Sequence, residues 1–246
     1  MVRELERTEP DLGVVVAFGQ FLPKRIRELP RLGYLINGHA SLLPRHRGAA
    51  PIAHAILAGD RETGVSVMRV EREMDAGPVA LVRRTEIGEE ETCGELTERL
   101  AGLTAEAIAE ALDAIAAGRV QWVEQDHSQA TLAPRITRAD AELHFEEPAV
   151  ALARRVRAMA PRPGAFTLLE GEPLRILAAR ALPGPAAGPP GRVAYREGTL
   201  AIATGSGWLA PRILQRPGGR ALDVEGFLRG HPLAEGTILG RAKGPA

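Results

Sequence analysis

The sequence predicts an α/β fold in two parts: a layered domain with a mostly parallel sheet, followed by a small antiparallel β-barrel. Strand-like apolar runs alternate with helical segments as far as residue 118, which is the pattern of an α/β layer structure. Short strands separated by turns dominate after a connector near residues 119–136, and this pattern favours a small barrel. We therefore expect one domain at residues 1–120, a linker at 121–136 and a second domain at 137–246.

The first half is predicted to contain four strands and two helices. Val14–Phe18 is an uninterrupted apolar run, as expected of a parallel strand that is buried on both faces. The other predicted strands are Gly33–Asn37, Gly64–Val70 and Val79–Arg84. A proline in the first turn and Gly59 beyond the last turn predict a helix over Pro51–Ala58.

A long amphipathic helix is predicted between Thr92 and Gly118. Thr92 and Glu95 have the spacing of a capping box, and Gly118 is suited to ending the helix. The apolar residues that share one helical face are Leu96, Leu100, Leu103, Ala107, Ala111 and Ile115.

The second half is predicted to hold one clear helix, Ala149–Met159, followed by short strands. These strands are Phe166–Leu169, Leu174–Ala181, Val193–Tyr195, Leu200–Thr204 and Leu209–Leu214. Residues 170–172 have the composition of a hairpin turn, and residues 183–191 contain too much proline and glycine for regular structure.

Composition narrows the class of protein. The chain has 246 residues and no apolar run near the roughly 18 residues of a membrane span. The N-terminus is charged and lacks the apolar core of a signal peptide. A single cysteine, Cys93, excludes an intramolecular disulfide framework and a cysteine-based zinc site, so we expect a cytoplasmic protein.

Charge is balanced overall and uneven along the chain. Residues 1–125 carry 15 Lys and Arg against 20 Asp and Glu, a net charge of −5, and residues 126–246 carry 16 against 11, a net charge of +5. A basic second half is suited to a polyanionic partner. General arginine usage in an alanine- and arginine-rich chain is an equally weighted interpretation of the charge alone.

An amide, an imidazole and a carboxylate stand at the ends of predicted strands. Asn37 and His39 are two residues apart, which puts both side chains on one face of a strand. Asp75 follows the next apolar strand, and a parallel sheet would bring the two carboxyl ends together. An uncharged donor, a group that titrates near neutral pH and a carboxylate suit acyl transfer to an amine. Each residue taken alone is more often structural, so the hypothesis depends on the combination.

The residues around His39 carry a specific resemblance. Residues 37–51, NGHASLLPRHRGAAP, are similar to the signature of the folate-dependent formyltransferases, and most of all to those that formylate methionyl-tRNA. The similarity continues at residues 10–23, 59–68, 74–77 and 129–136, so that it covers nearly the whole chain. It implies a partial Rossmann-like domain followed by an OB-like β-barrel.

The resemblance also implies roles for individual residues. Asn37, His39 and Asp75 would be catalytic: Asn37 donates to the formyl oxygen, His39 stabilises the oxyanion and moves protons, and Asp75 holds His39. The side chains of Ser41, Leu42, Leu43 and Pro44 would line the tetrahydrofolate site, and the backbone near residues 18–22 and 70–75 would wrap the pterin ring.

The substrates follow from the same resemblance. The formyl donor would be 10-formyltetrahydrofolate, the acceptor the α-amino group of methionyl initiator tRNA, and no metal is implied for what we expect to be a monomer. The cations expected to meet tRNA phosphates are Arg135, Arg138, Arg154, Arg155, Arg157 and Arg162. Arg45 and Arg47 either reach the acceptor stem or brace the loop that carries them.

The family's opening strands and helices have no counterpart in this sequence. We expect a truncated version of a longer protein, and the alternative is a natural short form. Two other functions stay open on the sequence: formyl transfer to another amine, such as a nucleotide sugar or glycinamide ribonucleotide, and an inactive fragment that binds tRNA.

Overall fold

The computed structural model describes residues 2–196 and 198–240, which fall into two units. Of these residues, the first unit comprises 2–55, 60–88 and 95–135, and the second comprises 56–59, 89–94, 136–196 and 198–240. The outer ends of the two predicted domains, residue 1 and residues 241–246, lie outside the described residues.

The first unit is built on a four-stranded sheet in the order β1-β2-β3-β4. Its elements are α1 (Val2–Thr8), β1 (Gly13–Val15), α2 (Lys24–Arg27), β2 (Leu35–His39), most of α3 (Pro51–Ala58), β3 (Glu62–Arg69), β4 (Val79–Glu86) and nearly all of α4 (Cys93–Ala116). The predicted α/β class is confirmed.

The direction of the strands refines the prediction of a mostly parallel sheet. β1 and β2 pair in parallel, whereas β2 with β3 and β3 with β4 pair antiparallel. The described sheet is therefore mixed. Residues Val65–Met68 are buried on both faces of β3, and such burial is compatible with either direction of the neighbouring strand.

β1 is the strand for which the burial prediction is wrong. Among the described strands β1 pairs only with β2, and Val14, Val16 and Phe18 are 45%, 50% and 42% exposed. The run was expected to be buried on both faces. An apolar run shows that a segment is hydrophobic, but the burial of that segment depends on which other parts of the chain pack against it.

Close packing of α4 fixes the orientation of β2. The buried side chains of α4 are Leu96, Leu100, Thr104, Ala107 and Ala111, so four of the six predicted core positions are confirmed, while Leu103 and Ile115 are half-buried. A Cβ at Gly38 would lie 2.6 Å from Cγ2 of Thr104. Gly38 therefore faces α4, and the alternating pleat turns its neighbours Asn37 and His39 toward the opposite face.

The segment predicted as a linker is packed against the first unit as far as Arg135. Val79 and Val123 exchange backbone hydrogen bonds of 2.8 and 2.9 Å. Farther along, the Arg47 N–H donates to the carbonyl of Thr131, and the Ala133 N–H donates to the carbonyl of Arg47. Residues 123–133 thus form part of the wall around the loop that follows β2.

The second unit is built on a six-stranded antiparallel sheet. Its strands are β5 (Ala165–Leu169), β6 (Glu172–Leu182), β7 (Val193–Arg196), β8 (Thr199–Ala203), β9 (Trp208–Gln215) and β10 (Leu222–Asp223). They follow the order β5-β6-β9-β8-β7, with β10 on β9. No closing pair joins β5 to β7 in the part of the chain that the structure describes, which is compatible with a partly open OB-like barrel.

Local signals in the second half are confirmed closely. Helix α5 occupies the predicted residues Ala149–Met159. Leu169 pairs with Glu172, so that Glu170 and Gly171 form a two-residue turn, and both have the positive φ that a type I′ hairpin requires. Strand β10 and helix α6 (Val224–Gly230) were not predicted. None of the helices in the described residues is both long and apolar enough to cross a membrane.

Replacing Gly38 by alanine should destabilise the first unit by about 1–3 kcal/mol, because the new methyl group overpacks the contact with Thr104. Urea unfolding measures the change. Gly102→Ala is the matched control: that glycine is an exposed residue of α4 with open space around it, so the substitution should stabilise by about 0.5–1 kcal/mol. Equal effects at the two positions would contradict the packing of α4 on Gly38.

Candidate functional site

Strand β2 places the first two predicted site residues at its carboxyl end. Asn37 is half-buried and His39 is 6% exposed. Asn37 pairs with Val15 of β1 on one side and with Met68 of β3 on the other, so its backbone is fixed from both directions. The predicted placement of both side chains on one face follows from the two-residue spacing.

A backbone carbonyl fixes the ring of His39. Its Nε2 lies 2.9 Å from the carbonyl oxygen of His46. A carbonyl oxygen only accepts, so Nε2 carries a hydrogen and donates it. The other ring nitrogen, Nδ1, lies 3.6 Å from Oδ2 of Asp75. The ion pair forms when Nδ1 is protonated.

Asp75 reaches His39 by a different route from the one predicted. The pairing of Ser66 with His39 and of Arg69 with Ile36 shows that β3 runs away from the carboxyl end of β2. The loop between β3 and β4 carries the chain back, with Asp75 at φ +52°. Its Oδ2 accepts a 2.8 Å hydrogen bond from the Gly48 N–H. The structure thus brings His39 and Asp75 together through the loop between β3 and β4. The predicted route, in which the carboxyl ends of two parallel strands meet, is wrong because β2 and β3 are antiparallel.

Polar contacts hold the turn of residues 41–44 from inside. Ser41 is fully buried, and its hydroxyl donates a 2.6 Å hydrogen bond to the carbonyl of Arg45. The Ser66 hydroxyl donates to the carbonyl of Ser41 and accepts from the Leu43 N–H. Leu42, Leu43 and Pro44 are half-buried. The Ser41 hydroxyl therefore closes the turn, and the three apolar side chains are the ones that keep accessible surface.

His46 was assigned no role from the sequence, yet it supplies the carbonyl that holds His39. It is buried, and its Nε2 lies 2.7 Å from Oδ2 of Asp60. Its N–H donates to the Thr131 hydroxyl. No local signal identifies this role, because Asp60 is 14 residues away and Thr131 is 85 residues away.

Of the two interpretations of Arg45 and Arg47, the structure supports bracing for Arg47. Arg47 is buried, and its guanidinium donates to Oε1 of Gln125 and contacts Nδ1 of His127. Arg45 is half-exposed and forms a 2.5 Å ion pair with Asp60. Arg47 therefore cannot reach a partner without breaking its internal bonds.

Several arginines of the second unit have structural contacts as well. Arg155 pairs with Glu147 at 2.5 Å, and the Arg154 guanidinium packs on Gly59. Arg157 donates to the carbonyl of Glu91, and burial, together with repulsion from Arg154, lowers the pKa of Arg157 below its ordinary value. Arg138 and Arg162 are exposed, as is Arg135 at the end of the first unit, and Arg138 lies over the ring of Phe166.

Gly48→Ala should lower the free energy of unfolding by about 1–3 kcal/mol from backbone strain alone, since Gly48 has φ +124°. A further loss is expected because the new Cβ would lie 2.6 Å from the carbonyl oxygen of Ala133. The comparison is Gly118→Ala, which also has positive φ but open space around it. Urea unfolding of both variants should show the larger loss at Gly48, and a larger loss at Gly118 would contradict the close approach.

Sequence comparisons place both units in one family. The profile of the formyl transferase domain matches residues 1–112. The profile described as formyl transferase, C-terminal domain, matches residues 135–232. Methionyl-tRNA formyltransferase of Methylococcus capsulatus is 49% identical over 233 residues, which cover 94% of this chain and 75% of that relative. Its counterpart in Acidiphilium cryptum is 45% identical over 230 residues, covering 94% of this chain and 73% of the relative.

Solved structures support the fold. HypX from Aquifex aeolicus in complex with tetrahydrofolic acid aligns with a TM-score of 0.65 and 21% identity, covering 92% of this chain and 40% of that one. WlaRD, a sugar 3N-formyl transferase crystallised in the presence of dTDP and 5-N-formyl-THF, aligns with a TM-score of 0.66 and 16% identity, covering 84% and 75%. With both domain profiles in the expected order and relatives at 45–49% identity, the chain belongs to the methionyl-tRNA formyltransferase family.

Proposed function

We propose that this chain transfers the formyl group of 10-formyltetrahydrofolate to the α-amino group of methionyl initiator tRNA. The observation that carries the proposal is the contact between the buried ring of His39 and the carboxylate of Asp75. His39 lies on the same strand as Asn37, and the chain is 49% identical to a methionyl-tRNA formyltransferase. We assign residues 1–120 to formyl transfer and residues 137–246 to tRNA binding. The protein acts as a cytoplasmic monomer in this proposal.

The reaction needs an oxyanion stabiliser and a path for one proton. The neutral amine attacks the formyl carbon, and the carbonyl electron pair moves to the oxygen. Asn37 donates to that oxygen without titrating, and His39 protonated on Nδ1 adds positive charge. As the intermediate collapses, the bond from the formyl carbon to the folate nitrogen breaks. His39, protonated at the start, gives one ring proton to the leaving nitrogen and then takes the proton that the amine loses, so the products are the formylated amine and tetrahydrofolate and the ring ends as it began.

Asp75 has two tasks in this scheme. Its carboxylate lies 3.6 Å from Nδ1 of His39 and therefore faces the positive charge that the ring carries in this scheme. The hydrogen bond from the Gly48 N–H holds the same oxygen, so the carboxylate stays aimed at His39 while the ring gains and loses its proton. Asp75 is itself 14% exposed on its side chain, which allows a water molecule to contact the other oxygen.

Apolar surface in the first unit suits a flat pterin ring. The side chains of Phe21 and Met74 are 69% and 64% exposed, and they belong to the two segments expected to wrap that ring. Leu42, Leu43 and Pro44 supply the apolar wall in this proposal, whereas Ser41 contributes through the shape of the turn, because its hydroxyl is bonded to Arg45. Folate ligands named for HypX and WlaRD support this choice of donor.

Binding of tRNA is assigned to the basic half of the chain, whose net charge is +5. Arg162 and Arg180 are exposed in the second unit, and neither has a carboxylate partner among the described residues. Exposed, unneutralised cations are the groups that displace counterions from a nucleic acid. Arg154, Arg155 and Arg157 are less suited to this role because they already have structural contacts.

Formylation of methionyl initiator tRNA by this chain with 10-formyltetrahydrofolate tests the proposal. His39→Ala should lower kcat by about 10²–10³-fold if the ring stabilises the oxyanion. His144→Ala, which removes an exposed histidine of the second unit, is the control and should keep the parental rate. Absence of product from the parent chain would refute the function, and an unchanged rate for His39→Ala would refute the role of His39.

Replacing Arg162 and Arg180 together by alanine should weaken tRNA binding. Each lost phosphate contact reduces the slope of log K against log salt by roughly 1. Fluorescence anisotropy with labelled tRNA from 50 to 300 mM KCl measures the slope. Arg84→Ala is the control, because Arg84 is an exposed arginine of the first unit that is already paired with Glu62. If the control and the double variant change the slope equally, the assignment to the second unit is wrong.

A further inference from the structure

We infer that Gln125 is a positioning residue for formyl transfer, holding Asp75 against His39 through the backbone of the loop that carries Asp75. This inference rests on the proposed function of His39 and Asp75. Gln125 lies in the segment that the sequence suggested to be a linker, and it touches neither side chain of the pair. Its effect is on where the Asp75 carboxylate is held.

Gln125 connects the two loops that form the site. Its Nε2 donates to the carbonyl oxygens of Asp75 and Gly77, at 2.9 and 2.7 Å. Its Oε1 accepts from Nε and Nη2 of Arg47, at 3.1 and 2.6 Å. A glutamine amide has two hydrogens to donate and two lone pairs to accept with, so this side chain is fully satisfied.

The amide lies where solvent cannot replace its bonds. Gln125 is 7% exposed and Arg47 is 8% exposed. A buried polar group that loses its partner keeps the full cost of its desolvation, so breaking any of the four hydrogen bonds is costly. The loop of residues 75–77 and the loop of residues 47–48 are therefore held at a fixed separation.

That separation decides where the carboxylate lies. Asp75 has φ +52°, a conformation that residues with a side chain adopt only when the surroundings hold it. Gln125 fixes the carbonyl of Asp75, and the Gly48 N–H fixes Oδ2. Gly48 is bonded directly to Arg47 in the chain, and Arg47 is the second partner of Gln125. Both anchors of Asp75 thus meet at Gln125, and the remaining freedom of the carboxylate is small.

The chemistry of the position calls for an uncharged amide. A glutamate at residue 125 would keep an acceptor for Arg47 but would have no hydrogen for the two carbonyl oxygens. It would place a negative charge against them, so the loop of residues 75–77 would move away. A leucine would fill a similar volume and lose both sets of bonds. Gln125→Glu therefore removes only the bonds to the loop of residues 75–77, whereas Gln125→Leu removes those bonds and the bonds to Arg47.

Steady-state formyl transfer with Gln125→Glu, Gln125→Leu and Gln129→Leu tests the inference. Gln129 is the matched control, since it is four residues away, exposed, and donates from its amide to Asp126. Gln125→Glu and Gln125→Leu should lower kcat by about 10- to 100-fold with KM for both substrates within about threefold, because a small displacement of a reacting group is costly. Gln129→Leu should keep the parental kcat.

A combination with Asp75→Asn distinguishes positioning from a general structural role. If Gln125 acts through Asp75, adding Gln125→Glu to Asp75→Asn should lower kcat by less than about threefold further, since residues that act as a unit are not additive. A full additional loss, or a fall in kcat that merely follows the fraction of unfolded protein, would overturn the inference.

Amide hydrogen exchange of Gly48 provides a readout that needs no activity. Its N–H is bonded to Oδ2 of Asp75, so Gln125→Glu and Gln125→Leu should raise its exchange rate at least about tenfold in NMR measurements, whereas Gln129→Leu should leave it unchanged. If the parent chain transfers no formyl group, the proposed function fails while this measurement still decides the positioning. Unchanged exchange in both Gln125 variants would overturn the positioning itself.

Discussion

The hydrogen bond from Nε2 of His39 to the carbonyl of His46 is the constraint on which the site depends. It occupies Nε2 of the ring with a backbone carbonyl and orients Nδ1 toward the carboxylate of Asp75. The bond forms only because the chain after β2 turns back within seven residues, which places the carbonyl of His46 beside the ring of His39. The buried hydroxyls of Ser41 and Ser66 close that turn from inside.

The loop is also held from outside by parts of the chain that are distant in sequence. Asp60 binds the imidazole of His46, and Thr131 binds its backbone. Gln125 and Ala133 hold Arg47, the next residue. The geometry of His39 is thus set by contacts that span about 90 residues, so the position of its ring depends on much of the first unit even though the ring belongs to one short motif.

Much of this architecture could be predicted where the signal is local. The boundaries of α5 and the turn at Glu170 and Gly171 follow from residue periodicity and from the backbone preference of glycine. The exposure of Val14 could not be predicted in this way, since it depends on what packs against β1. For the candidate site, the spacing of Asn37 and His39 predicts that both side chains lie on one face of β2. The loop by which Asp75 returns to His39 could not be predicted, because an aspartate is equally suited to a strand end and to a loop.

The pairing of Arg47 with Gln125 links two positions that are 78 residues apart in the chain. A change at either position alone would leave the Arg47 guanidinium or the Gln125 amide oxygen buried without the hydrogen bonds that join them, which is among the more destabilising changes a protein can undergo. Mutations at these two positions should therefore be accepted together in the descent of the family. The two positions would then vary together in an alignment of many relatives. Such covariation would reveal the contact between Arg47 and Gln125, which a single sequence cannot do.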